Sequence, residues 1–437
     1  MSLSASPLDA SLWFDDECAP SATSDAQRMT EASVAAAAQS APRPLTLARD
    51  AHIGYLVRAL DGLSSSHLSL DASRPWLLYW ALHSLDLLGA RPTDRFPSVV
   101  RYLARCQCAG GGFGGGPGQL PHTAATYAAV LALAIVGGDE ALGAIDTRGL
   151  RALFASLRDA DTGGFRVQPG GEMDVRGAYT VLAVAHLTGL MGGEEGGEEG
   201  GDGGGERAGR VDASGEGAFT RAGEQQRRSG ASVDDPRNLA RGTADFLLRC
   251  QSYEGGFGGE PGNEAHGGYT YCAVAGLSLL RALHHADVRA LRGWVAARQL
   301  PLEGGLQGRT HKLVDSCYSF WIGAVARVLE DAEAAPGAPA PCLLDAARLQ
   351  SFLLAACQAP EGGMRDKPGK PRDLYHTCYA LSGLALAQGR GVLGGDANAL
   401  ARTHPLFNIR PEHVQAARAY FTRARGIVGC EDPPPPT

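Results

Sequence analysis

Five segments of the chain repeat one local grammar. A helical stretch ends near Cys-Gln or its equivalent, a Gly-Gly-apolar turn follows, then a polar loop, then a run of small and apolar residues at helical spacing. The segments are CQCAGGGFGGGPGQLPHTAATYAAVLAL, DADTGGFRVQPGGEMDVRGAYTVLAVAHL, CQSYEGGFGGEPGNEAHGGYTYCAVAGLSLL, RQLPLEGGLQGRTHKLVDSCYSFWIGAV and CQAPEGGMRDKPGKPRDLYHTCYALSGLAL. Their paired glycines begin at Gly111, Gly163, Gly255, Gly304 and Gly362, at spacings of 52, 92, 49 and 58 residues. The long interval contains residues 191–235, a Gly/Glu-rich tract with almost no apolar side chains, which cannot bury enough surface to fold and is read as an unstructured insert. Without it the interval returns to about fifty.

Each unit therefore predicts helix, turn and helix. The segment SRPWLLYWALHSLDLL, 73–88, reads as the second helix of a degenerate first unit, with Pro75 acceptable in a first turn. Six such pairs close into an all-α ring. The second helices, rich in Ala, Gly and aromatics, form its inner layer, and the loops before them gather at one mouth. The ring domain is expected over 46–428, with residues 1–45 and the tail 429–437 unstructured.

Composition removes several classes of function. A net charge of −7 gives no reason to expect nucleic acid or an anionic membrane as a general partner, so an anionic ligand must be met by a local basic cluster. The start of the chain has no basic region followed by an apolar core, which predicts a cytoplasmic protein without a secretory signal. The longest apolar run, near 127–138, is too short to span a bilayer. Ten scattered cysteines in a chain of this kind read as buried thiols or ligands rather than a disulfide framework.

Equivalence of the units lets distant loops meet. Asp315 and Cys317 of VDSCYSFW and His376 of DLYHTCY offer a carboxylate, a thiolate and an imidazole, a three-ligand zinc set with the fourth position open. Residues two apart do not share a helix face, so Asp315 has to stand at or before the helix start. A capping Asp, a buried thiol and a satisfied core histidine are the commoner reading of three such residues alone.

The residues around them add to the first reading. Arg309, Lys312, His266 and Tyr318 share the same mouth, and two cations with neutral donors suit the several oxygens of a diphosphate. Asp366 is a candidate magnesium position beside those oxygens. Lys367 and Arg372 are read as ordinary surface charges. Trp76, Tyr79, Trp80, Tyr127, Tyr179, Tyr269, Tyr271, Trp321, Tyr375 and Tyr379 fall on the predicted inner helices. Aromatics at helical spacing are usually core, yet on an inner wall they would surround an extended apolar chain. Diphosphate at the rim and hydrocarbon below describes an isoprenoid diphosphate.

Over roughly 50–425, outside the insert, the chain resembles the β subunits of protein farnesyltransferase. The resemblance is carried in order by LDASRPWLLYWALHSL, GGFGGGPGQLPH, GGEMDVRGAY, EAHGGYT, GGLQGRTHKLVDSCYSFW, DKPGKPRDLYHTCYALSGL and THPLFNI. It implies an α/α barrel, or toroid, that works as a heterodimer with a helical-repeat α subunit. It also implies one Zn2+ held by Asp315, Cys317 and His376, and a farnesyl diphosphate head group met by His266, Arg309, Lys312 and Tyr318. The isoprenoid would lie against Arg176, Tyr179, Tyr269, Cys272 and Trp321. Trp76, Trp80 and Tyr375 would shape the site for the second aliphatic residue of a C-terminal Cys-aliphatic-aliphatic-X peptide. Ser73 and His122 would border its last residue, and Asp366 would receive Mg2+. The protein substrates implied carry that C-terminal motif, as small GTPases do. Ala125 departs from the pattern, where proline is expected, which bears on preference at the last peptide position. The insert matches nothing in the family.

Rival readings make different demands. A type I geranylgeranyltransferase β subunit shares the architecture and zinc set, but Trp76 should block a fourth isoprene unit, and RDLYHTCY fits the farnesyl enzyme better. A terpene cyclase of the same double-ring type needs an acid motif such as DxDD, which does not occur. A ring that only binds partners has no reason to hold metal stoichiometrically.

Overall fold

Helices alternate between two kinds of apolar pattern, and the pattern decides which layer each joins. In the computed structural model, which describes residues 21–191, 239–333 and 342–424, helix α1 spans Ala22–Ser40. The pairs α2 and α3 (Arg49–Asp61, Arg74–Leu87) and α4 and α5 (Phe96–Cys106, Thr123–Val136) follow it. After the short α6 (Gly138–Gly143) come α7 and α8 (Thr147–Leu157, Val175–Leu187), then α9 and α10 (Thr243–Arg249, Gly267–Leu279). The pairs α11 and α12 (Val288–Ala296, Tyr318–Glu333) and α13 and α14 (Ala346–Ala356, Leu374–Ala387) precede α15 (Pro411–Ala424).

The first helix of each pair is one-sided. In α7, for example, only Leu150, Leu153, Phe154 and Leu157 are buried. The second helix is apolar nearly all round, as in α5, where every residue from Ala125 to Ile135 is buried. A helix without a polar face must be covered on all sides. The inner helices accordingly pack in the closed cycle α3, α5, α8, α10, α12, α14 and back to α3. This is the six-pair all-α toroid expected from the repeats.

The repeated sequence signs have specific jobs. The glutamine of Cys-Gln, or of Arg-Gln in the fourth repeat, accepts from the N-cap amide of the next outer helix: Gln107 from Asp146 at 2.9 Å, Gln251 from Asp287 at 2.9 Å and Gln299 from Asp345 at 2.7 Å. In the last unit Gln358 accepts from Ala48, the N-cap of α2, at 2.8 Å, so the same bond that links neighbours also closes the ring. The paired glycines let each turn touch the next outer helix. A Cβ on Gly111 would lie 1.9 Å from the Gly149 carbonyl, and one on Gly362, whose φ is +85°, would lie 1.9 Å from that of Ala51. A threonine one turn into the inner helix pins the turn: Phe113, Phe257 and Met364 amides donate to Thr126, Thr270 and Thr377 hydroxyls, each at 2.9 Å.

One end of the ring is closed by the segment before α15. Tyr79, Tyr127 and Tyr179 donate to the carbonyls of Asn408, Phe407 and Leu406 at 2.7, 3.0 and 2.7 Å. Buried Asp86 accepts from His413 at 2.7 Å and ties α15 to α3. Asp86 lies near the C-terminal end of α3, whereas the loops that precede the inner helices lie at their N-terminal ends.

The expectation of an unstructured segment 1–45 needs correction over 21–45, where helix α1 forms and buried Leu45 accepts from Asn398 at 2.8 Å. The Ala-rich run of α1 has high helix propensity, Ser21 and Ser24 form a reciprocal cap, and Val34 is buried as α1 packs on α13. Gln27 also donates to Glu303 at 2.8 Å. The expected unstructured stretch 1–20, the insert 191–235 beyond its first residue, and the tail 429–437 lie outside the described residues, as do the last four residues expected in the ring, 425–428.

Candidate active site at the mouth of the ring

Inner-helix starts collect the polar side chains, because each helix leaves its first amides to be capped. His122, Asp174, His266 and Asp373 are the N-caps of α5, α8, α10 and α14, each accepting from an amide two or three residues on. Asp315 does the same for Cys317 at 2.8 Å, immediately before α12. Adjacent loops are stitched together: the Gly267 amide donates to the Gly308 carbonyl at 2.7 Å and the Ser316 amide to that of Asp366 at 2.9 Å. Residues far apart in the chain thus reach one rim.

Ligand atoms of Asp315, Cys317 and His376 all lie within 4.8 Å of one another. His376 Nε2 is 3.4 Å from Asp315 Oδ1, and Nδ1 is 2.7 Å from Asp373 Oδ2. Asp373 fixes the ring so that Nε2 faces the other two donors, which is how carboxylates orient metal-binding imidazoles. Burial pushes the Cys317 thiol well above its usual range, and the Asp315 carboxylate pushes the same way. Burial opposes charge on His376, but its bonds to Asp315 and Asp373 outweigh that and hold the imidazole up to about 9. Two acidic groups and an imidazole this close favour a positive charge among them. A divalent cation supplies it, and donors around tetrahedral zinc are roughly 3.3–3.8 Å apart, which the Asp315–His376 separation already matches. The donor set fits zinc.

The groups expected to meet a diphosphate lie near it, His266 and Tyr318 both sensing the charge of Asp315. Tyr318, first residue of α12, brings its hydroxyl 3.0 Å from His266 Nε2. Burial, then the charge of Arg309, hold the His266 imidazole below its usual range. Arg309 Nη1 donates to Glu264 at 2.5 Å. Lys312 is exposed at the same rim.

Arg176 is bound to Asp174, with Nε donating at 2.9 Å, and its guanidinium lies 5.7 Å from the Tyr269 ring centroid. Half-buried Trp76 packs against Trp80 and Tyr127 at centroid distances of 5.6 and 5.7 Å, and Trp80 meets Tyr375 at 5.6 Å. Trp321 donates to the Tyr375 hydroxyl at 3.0 Å. Tyr179 lies deeper, its hydroxyl 3.0 Å from that of Tyr271, and Cys272 is buried nearby in α10. Ser73 caps α3 without a side-chain bond, and His122 stands near Glu172 and Arg176.

Asp366 is not ready for a metal. Both its oxygens accept from Lys367 Nζ at 2.5 Å, and the pair is largely buried. Lys367 is thus no surface charge, since it is buried and paired with its neighbour Asp366. Arg372 also has a structural place, over the Tyr55 ring at 4.8 Å.

The profile of the prenyltransferase alpha-alpha toroid domain matches residues 47–409. The chain is 34% identical to the protein farnesyltransferase subunit beta of Arabidopsis thaliana, over 87% of its own length and 84% of that protein's. It is 36% identical to the subunit of the same name from Pyricularia oryzae, over 87% and 74%. The chain belongs to the protein farnesyltransferase β-subunit family. A solved structure of Candida albicans protein geranylgeranyltransferase-I complexed with GGPP shares the fold at a TM-score of 0.64, with 19% identity, covering 86% of this chain and 99% of that one.

As a farnesyltransferase β-subunit family member, the chain is a prenyltransferase subunit. Among its described residues no helix is long and apolar enough to cross a membrane. Three residues of this site escaped the sequence reading: Asp373 behind His376, Glu264 on Arg309 and Asp174 on Arg176. The first had a signal, the three-residue spacing in DLYH that puts a capping Asp beside a helical His; Glu264 reaches Arg309 only through loop packing.

Proposed function

We propose that this chain is the catalytic subunit of a farnesyltransferase, moving the farnesyl group of farnesyl diphosphate to the cysteine thiol of a C-terminal Cys-aliphatic-aliphatic-X motif. The observation that carries this reading is the Asp315–Cys317–His376 cluster beside a rim of Arg309, Lys312, His266 and Tyr318. Asp315, Cys317 and His376 would hold Zn2+, whose charge lowers the pKa of a bound thiol and keeps a thiolate available at neutral pH.

The chain's own residues handle the rest. Arg309 and Lys312 place positive charge where the departing diphosphate gains negative charge, and Tyr318 donates to it while hydrogen-bonded to His266. Burial raises the Tyr318 phenol above its usual range, so it stays a donor rather than an anion. Trp76, Trp80, Trp321 and Tyr375 give the hydrocarbon and the peptide's aliphatic residue an apolar wall. Arg176, held on Asp174 beside Tyr269, keeps its side chain along the isoprenoid's path. Asp366, with both oxygens on Lys367, does not fit a resident Mg2+. The α subunit is the required partner. The described cysteines are free, which suits a reducing compartment such as the cytoplasm.

Prenyl transfer to a fluorescent peptide ending in Cys-aliphatic-aliphatic-X tests the reading, with the chain co-purified with an α subunit and given farnesyl and geranylgeranyl diphosphate in competition. Farnesyl transfer lost on chelation and restored by zinc is expected. Preference for the longer donor would instead make it a geranylgeranyltransferase.

A further inference from the structure

Arg309 does not wait at the rim as a bare cation. Its side chain has one partner among the described residues, Glu264, reached through Nη1 and Oε2 at 2.5 Å. Glu264 lies two residues before His266, in the loop that also delivers the His266–Tyr318 pair at 3.0 Å. A carboxylate therefore stands among the groups that would receive a diphosphate and already holds one of its two cations. A purely attractive anion site has no reason to carry it.

The contact is built to be exchanged. It uses one guanidinium nitrogen of a group with five N–H donors, so the other donors stay available to an incoming anion. Both partners are exposed, at 40% and 48%, where an ion pair is weak. A diphosphate brings more charge and several oxygens that engage Arg309 and Lys312 together, and it outcompetes a single exposed carboxylate. Once transfer has freed inorganic diphosphate, the same carboxylate competes for Arg309 again and shortens the product's stay.

We propose that Glu264 is an internal stand-in for diphosphate, a positioning residue that neutralises Arg309 between turnovers, yields it when the prenyl diphosphate arrives and reclaims it as the diphosphate departs. This rests on the prenyl-diphosphate reading of the rim.

Calorimetric titration of the heterodimer with inorganic diphosphate and with farnesyl diphosphate, on wild type, Glu264→Gln and Glu264→Asp, tests it. The glutamine variant should bind inorganic diphosphate roughly two- to fivefold tighter, with kcat and KM falling together, because the competing charge is gone. The aspartate variant keeps the charge and should stay within about twofold of wild type. A merely structural role would leave diphosphate affinity unchanged or weaken it. Equal or weaker binding by Glu264→Gln overturns the proposal while wild-type transfer stands, and so does equal tightening in both variants. A wild-type heterodimer that neither binds nor uses farnesyl diphosphate overturns this inference together with the reading it rests on.

Discussion

Asp373 serves His376 twice: its Oδ1 caps the His376 amide and its Oδ2 meets the imidazole Nδ1, both at 2.7 Å. One side chain sets both the helix start and the orientation of the ligand on it. Asp373→Asn keeps a capping oxygen but removes the charge behind the ring. Zinc affinity, measured by competition with a chelating indicator, should fall roughly tenfold to a hundredfold with helix content retained. Unchanged affinity would show that packing alone orients His376.

Cys317→Ala and His376→Ala should each lose stoichiometric zinc and prenyl transfer together, because two remaining donors do not hold the ion. Metal analysis of the purified heterodimer beside the peptide assay checks this. Retention of both properties in either variant would remove the metal assignment.

Trp76 fills space between Trp80, Tyr79 and Tyr127, at centroid distances of 5.6, 5.9 and 5.7 Å. Trp76→Thr should shift the competition ratio toward geranylgeranyl diphosphate by roughly tenfold or more. An unchanged ratio would move the length limit deeper, to the tyrosines bonded to residues 406–408.

Ring closure should be sensitive at Gly362. A methyl there meets the Ala51 carbonyl at 1.9 Å on a residue with φ of +85°, so Gly362→Ala should cost about 2–4 kcal/mol in chemical denaturation. Gly369→Ala, with φ of +83° but nothing within 4 Å of the added carbon, isolates the backbone share and should cost about 1 kcal/mol. Equal costs would mean that α2 shifts freely at the seam.

Stability should decline between pH 6.5 and 4. Burial holds His83, His186 and His404 down to about 4, whereas the unfolded chain takes up these protons near 6.5. Below 6.5 the unfolded state binds more protons than the folded one, so it gains relative to it until the folded groups titrate. His83 alone accounts for on the order of 3 kcal/mol across that window. Denaturation midpoints that stay flat from pH 7 to 4.5 would contradict the burial of these rings.

The sequence by itself determined the units and their order. Gly-Gly turns and Cys-Gln signs are local, and an apolar run without a polar face announces an inner helix, because such a helix has to be covered on every side. That Asp315, Cys317 and His376 meet is legible for the same reason, since the loops before the inner helices gather at one mouth, whereas their reading as a zinc set draws on the residues around them and on the family resemblance. Helix α1 is hidden in the sequence because a Ser/Ala-rich composition looks unstructured, and its cap and its partner α13 show only in the fold. Tertiary structure alone decided what lies between units. It seats Gln358 on Ala48 to close the ring and lays residues 406–408 on three tyrosine hydroxyls. It also buries the Lys367–Asp366 pair and sets Glu264 against Arg309, 45 residues away. Side-chain partners chosen by loop packing leave no period in a sequence, whereas helix faces do, since burial repeats with the turn of the helix.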